Sequence, residues 1–147
     1  MRLREAVAAT LTLTAAALTP VTAQAAPAPR QTAHRMTIDP VVSLAPDGTV
    51  TMTGTYRCTL GRPLTTVYIG SNLMQSARTE GIGGSTATCD GRVHRWRNSA
   101  RPSRAPFQPG PARADGTLMH FRPDHSGIPV PHFLAVTSVR TVTVVAR

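Results

Sequence analysis

The chain has 147 residues and a formal net charge of +9, and every one of its sixteen basic residues is arginine. Without lysine, a Walker-type phosphate loop and Schiff-base chemistry on a side-chain amine are both excluded. A chain of this length builds one hydrophobic core, not two, and so positive a charge makes adhesion to polyanions the first binding property to expect.

The N-terminus reads as an export signal. Arg2 and Arg4 precede an apolar run over residues 6–18, and Ala23-Gln24-Ala25 offers small residues to a signal peptidase. That run is shorter than the roughly 20 residues that span a bilayer. Residues 1–25 are therefore assigned to a signal peptide, 26–34 (with Pro27 and Pro29) to a disordered leader, and 35–147 to a single domain that is secreted and soluble. Cleavage after Ala25 leaves fourteen arginines against six acids.

Met36-Thr37-Ile38 predicts a short strand stopped by Asp39-Pro40, and Ala45-Pro46-Asp47-Gly48 a turn. Residues 49–58 alternate strictly, with Val50, Met52, Gly54, Tyr56 and Cys58 on one face and Thr49, Thr51, Thr53, Thr55 and Arg57 on the other. That is the period of a half-buried strand. Residues 64–73, with Val67, Tyr68 and Ile69, are strand-like with no inward face assigned. Gly81-Ile82-Gly83-Gly84 reads as a turn or bulge, since it lacks the lysine and helix of a phosphate cradle.

Asp90-Gly91, between the strand-like residues 85–89 and 92–97, is a hairpin signal. In that register Cys89 faces Arg92, Ala87, Cys89, His94 and Trp96 share the core side, and Val93, Arg95 and Arg97 share the other. Four prolines make 98–111 a long loop or edge crossing. Residues 112–122, with Leu118 and Phe121, read as a strand, 123–131 as a loop, and 134–145 as a closing β-branched strand. The sum is an all-β chain of about seven strands, and such a chain favours a two-sheet sandwich.

Cys58 and Cys89 are an even pair in an oxidising compartment, which predicts one disulfide. At 31 positions apart they lack the spacing of a redox pair, and closing such a loop stabilises by about 3–4 kcal/mol. The carboxylates are sparse for acid–base chemistry: Asp47, Asp90 and Asp115 precede glycines, Asp39 precedes Pro40, and only Glu80 and Asp124 remain. No Gly-x-Ser-x-Gly elbow occurs. His120, His125 and His132 lie close in sequence but at spacings that match no zinc motif, and His94 is expected to be a hydrogen-bonded structural residue. No catalytic residue, metal or cofactor is assigned.

The densest feature is basic. Arg92, Arg95, Arg97, Arg101, Arg104 and Arg113 fall within 22 residues, and guanidinium groups grip phosphate and carboxylate in a bidentate manner. These six are the candidate polyanion-binding residues, with teichoic acid, nucleic acid or acidic polysaccharide as fitting chemistries. Six aromatic residues are too few for sequence-specific nucleic-acid recognition. The competing account is a solvated basic face produced by arginine-rich coding.

Several of these segments recur in order in a known group. Asp47-Gly48-Thr49-Val50-Thr51, Gly54-Thr55-Tyr56-Arg57-Cys58, Gly81-Ile82-Gly83-Gly84, Cys89-Asp90-Gly91, His94-x-Trp96-x-Asn98, Pro109-Gly110-Pro111-Ala112 and Gly127-Ile128-Pro129-Val130-Pro131 resemble a family of small secreted proteins from Streptomyces and related actinobacteria, classed as a domain of unknown function. The resemblance implies an exported one-domain protein with two disulfide-forming cysteines and brings no activity. More distantly, the opening strand and Asp-Gly turn are similar to neocarzinostatin-type chromophore-binding apoproteins, which implies an immunoglobulin-like sandwich; the single disulfide and basic charge depart from that group.

The first functional expectation is a secreted, non-enzymatic β-sandwich that contacts an anionic cell-wall polymer or a secreted protein through its arginines. A small-ligand carrier would need a deep apolar pocket. A hydrolase would need polar groups converging near His94, His120 or His132, and a protease inhibitor would present the proline-rich loop.

Overall fold

In the computed structural model the described residues are 33–60, 65–103 and 105–147. Residues 1–32, read above as a signal peptide and most of a leader, lie outside them. The described chain is all-β, with strands β1 (Arg35–Met36), β2 (Val41–Leu44), β3 (Val50–Thr59), β4 (Val67–Gln75), β5 (Arg78–Ala87), β6 (Asp90–Ala100), β7 (Gly110–Pro123), β8 (Pro129–Val136) and β9 (Arg140–Ala146).

Nine segments stand where about seven strands are expected because two strands are interrupted. The first starts antiparallel to β3, and the Thr37 and Asp39 amides still bond to the Thr55 and Thr53 carbonyls. Pro40, which has no N–H to give, then turns the chain so that β2 runs parallel to β9. The last strand breaks between β8 and β9, both of which pair with β7.

β1, β3 and β6 form one layer, and β9, β7, β4 and β5, with β8 on the far end of β7, form the other; β2 joins the two. One core lies between the layers. Met52, Tyr56, Cys58 and Trp96 enter it from the first, and Ile69, Leu73, Leu118, Val142 and Val144 from the second. Val67, Ile69, Ser71 and Leu73 are thus the inward face of β4. The layering and the parallel pairing of a split first strand with the last make this an immunoglobulin-like sandwich.

The hairpin expected across Asp90-Gly91 does not form. β5 pairs with β4 and β6 with β3, so the chain changes sheets between Ala87 and Asp90. Gly91, at φ +82°, instead supplies the extra residue of a bulge on β6 near Thr59, with the Arg92 amide bonded to the Asp90 carboxylate. A hairpin turn and a bulge both need positive φ, so Asp-Gly serves either. Cys89 accordingly meets Cys58 rather than Arg92. The assignment of sides survives, because it depends only on alternation: Trp96 is buried while Val93, Arg95 and Arg97 are exposed.

The glycine-rich segment at 81–84 is a bulge within β5. Gly83 has φ +59°, and a Cβ there would stand 2.6 Å from the Ser99 carbonyl oxygen, so β5 rides close over β6.

Two side chains of β6 fasten the fold, Trp96 within its own layer and Asn98 between the layers. Trp96 donates its indole N–H to the Thr37 carbonyl at 2.9 Å, reaching across β3 at Gly54, its direct register partner. Asn98, buried at 2 % exposure, donates to the Ile69 carbonyl at 3.1 Å and to Ser71 Oγ at 3.0 Å, and accepts from Ser85 Oγ at 2.8 Å.

A Cβ at Gly54 would collide with the Thr37 carbonyl and stand 2.6 Å from Trp96 Nε1. Gly54→Ala is therefore expected to lower unfolding free energy in urea by about 2–3 kcal/mol, through overpacking and loss of the indole bond. An unchanged midpoint would refute this role.

Candidate functional site

The outer face of the β1–β3–β6 layer follows from register. Arg35 stands opposite Arg57, and Arg57 opposite Val93. In the next rows Thr55 stands opposite Arg95 and Thr53 opposite Arg97. Residues directly opposite one another point to the same side of a sheet, so Arg35, Arg57, Arg95 and Arg97 share one solvent face with a field of threonines between them.

Short polar bonds knit this face. Thr37 and Thr55 hydroxyls lie 2.6 Å apart, Thr51 Oγ lies 2.8 Å from Ser99 Oγ, and Arg57 Nε donates to the Gly91 carbonyl at 2.8 Å. Within the field Asp39 accepts from Thr53 Oγ and from Arg95 Nη2, each at 2.6 Å, and at its end Asp90, opposite Thr59, pairs with His94. The Thr53 bond and the Arg95 guanidinium hold the Asp39 carboxyl below its usual range, against a smaller opposing effect of burial. Arg35, Arg92 and Arg97 make no ion pair among the described residues. Arg95 keeps 68 % of its side chain exposed while paired.

The structure redistributes the six arginines singled out by sequence. Arg95 and Arg97 lie on this face and Arg92 is exposed at the bulge beside it. Arg101 is exposed just past the end of β6, where its charge acts on Asp47. Arg113 pairs in register with Met74 and Thr141 and belongs to the opposite layer. Arg104 lies outside the described residues. Arg35 and Arg57 join the face unforeseen; the outward direction of Arg57 was legible from alternation, but its adjacency to β6 and to Arg35 depends on long-range pairing.

Each described carboxylate is engaged structurally. Asp47 and Asp124 close turns onto Thr49 and onto Ser126 and Ile128, Glu80 pairs with Arg78, Asp90 with His94, and Asp115 accepts from Asn72. His94 stacks on Tyr56 at 5.4 Å. His120 and His132 are register partners with ring centroids 5.7 Å apart, while His125 sits apart in the exposed turn between β7 and β8. Among the described residues no group of three histidines, cysteines or acids is arranged to hold a metal ion.

An open groove of about 510 Å³ runs along Leu44, Ala45, Pro46, Gly48, Pro106 and Phe107 at the rim of the sandwich. Phe107 anchors the proline-rich loop in the core at 2 % exposure, under the Arg78 guanidinium at 4.2 Å. The loop is pinned further by paired bonds between the Gln75 side chain and the Gln108 backbone. No helix among the described residues is long and apolar enough to cross a membrane.

Fold and surface together define a disulfide-stapled, immunoglobulin-like sandwich with one arginine-rich outer sheet. Residues 32–147 match the family of unknown function DUF6299, and the chain belongs to that family. No curated protein matches it. The structure of murine CRIg aligns over 78 % of this chain and 98 % of its own, at 10 % identity and a TM-score of 0.34, a similarity too slight to argue from.

His120 is buried, with Nδ1 3.0 Å from Thr65 Oγ1. Burial lowers its pKa, and the nearby charges of Arg122, His132 and His34 lower it further. The unfolded chain therefore takes up a proton near pH 6.5 that the folded chain refuses. Stability from this group is complete above that pH and declines as pH falls from there toward the lower folded value. Urea midpoints measured from pH 7.5 to 5 should show this decline, and His120→Gln should flatten it; an equal decline in the variant would assign it to other groups.

Proposed function

We propose that this protein is a secreted, non-enzymatic module that binds anionic envelope polymers through the outer face of β1, β3 and β6. The observation that carries this reading is the gathering of Arg35, Arg57, Arg95 and Arg97 in adjoining rows of one face, with Asp39 beside Arg95. Arg35 and Arg97, which make no ion pair among the described residues, leave positive charge on this face for a polyanion to neutralise. The planar guanidinium fork grips phosphate or carboxylate with two bonds at once, so less side-chain freedom is lost per hydrogen bond formed.

Secretion is supported by the signal-like first 25 residues and by the disulfide, which suits an oxidising compartment. The non-enzymatic reading is supported by the structural engagement of the described carboxylates. Binding through such a face is salt-sensitive and tolerant of polymer sequence.

Retention of the purified protein on isolated cell wall and on heparin, across a salt gradient at fixed pH, tests this. Arg35→Gln/Arg97→Gln is expected to elute at lower salt and to reduce the slope of log affinity against log salt by roughly one to two. Arg113→Gln, on the opposite layer, should elute nearly as the parent does. Equal losses in the two variants would reduce the effect to net charge, and no loss in the double variant would dispose of the site.

A further inference from the structure

The opposite layer carries an apolar patch on its outer face. Thr86, Tyr68, Met119 and Phe133 lie in one register row across β5, β4, β7 and β8. Phe121 and Pro131 form the next row on one side, and Gly84, Gly70, Thr117 and Val136 the next on the other. Tyr68, Phe121, Phe133 and Val136 are 42 %, 45 %, 56 % and 62 % exposed. The chain has six aromatic residues; Tyr56, Trp96 and Phe107 are buried, and the other three stand together here in water. Clustered exposed aromatics in an aromatic-poor protein are the mark of a contact surface.

We infer that this face joins two copies of the chain in a symmetric dimer. Charge sets which face two copies can share. Two copies of a chain at +9 repel, yet none of the ten residues in these three rows is charged. Further along β7 the charges on the same face are Arg113 and Asp115, of opposite sign. Approach through this patch keeps both arginine faces turned outward.

The area agrees with a weak dimer. Taking about 200 Å² for a whole large side chain, the four exposed ones leave roughly 400 Å² bare per copy. That is about half of what each partner contributes to a standard interface, leaving the remainder to a polar rim. A flat carbohydrate platform fits less well, since the Tyr68 and Phe121 rings meet edge to face at 68° rather than lying in one plane.

Sedimentation velocity on the purified oxidised protein tests the inference. A monomer–dimer equilibrium is expected with a midpoint below about 0.5 mM, unchanged or tighter at higher salt because screening removes arginine repulsion. Phe133→Ser and Tyr68→Ser should each weaken it about tenfold or more, with near-ultraviolet circular dichroism confirming the fold, while Arg97→Gln should leave it intact. A monomer at every concentration, a dimer that dissociates as salt rises, or a dimer indifferent to both aromatic substitutions would overturn the inference. None of these outcomes bears on polyanion binding, which uses the other layer.

Discussion

The buried amide of Asn98 is the constraint from which the rest of the sandwich follows. It sits on β6 in one layer and bonds to Ile69 and Ser71 on β4 and Ser85 on β5 in the other, so the layers are joined in register by directional bonds as well as by apolar contact. Ser71 passes its hydroxyl hydrogen to the Ile82 carbonyl at 2.9 Å, at the β5 bulge. A buried polar network of this kind is costly when broken and specifying when complete. Two glycines, Gly83 and Gly54, let the backbones approach closely enough for this network and for the Trp96 bond to Thr37.

The disulfide fits the same scheme. Cys58 lies one residue before the end of the central strand of the first layer, and Cys89 lies in the short connection where the chain crosses from β5 to β6. The bond therefore ties the crossing to the layer it enters. Its stabilisation, about 3–4 kcal/mol by loop closure, is large beside the marginal net stability of a domain this size.

Alternation was the most legible feature of the sequence. The threonine-out pattern of β3, the outward Arg95 and Arg97 and the inward Trp96 all follow from period two, whatever strand lies alongside. Pairing was not legible, because Asp90-Gly91 meets the same backbone requirement in a hairpin and in a bulge, and the difference lies in the long-range pairing of β5 with β4 and of β6 with β3. The candidate site inherits this division: Arg95 and Arg97 could be read from local pattern, whereas Arg35 and Arg57 belong to the face only through long-range register. Arg113, near the others in sequence, ends on the far layer because the chain crosses over between β6 and β7.

The two outer faces carry opposite physical characters, and this bears on how the proposed activities combine. One face is arginine and threonine, with the proposed attraction to polyanions weakening as salt rises; the other carries an uncharged apolar patch, whose proposed self-association salt does not weaken. A pair joined through the apolar face presents two arginine faces pointing away from each other, too far round the assembly to grip the same few polymer units. Such a pair gains affinity only from a polymer long enough to wrap it, or from two neighbouring chains, because avidity vanishes when geometry forbids simultaneous engagement. The arrangement therefore suits cross-bridging within a dense anionic matrix better than tight capture of a short anionic fragment.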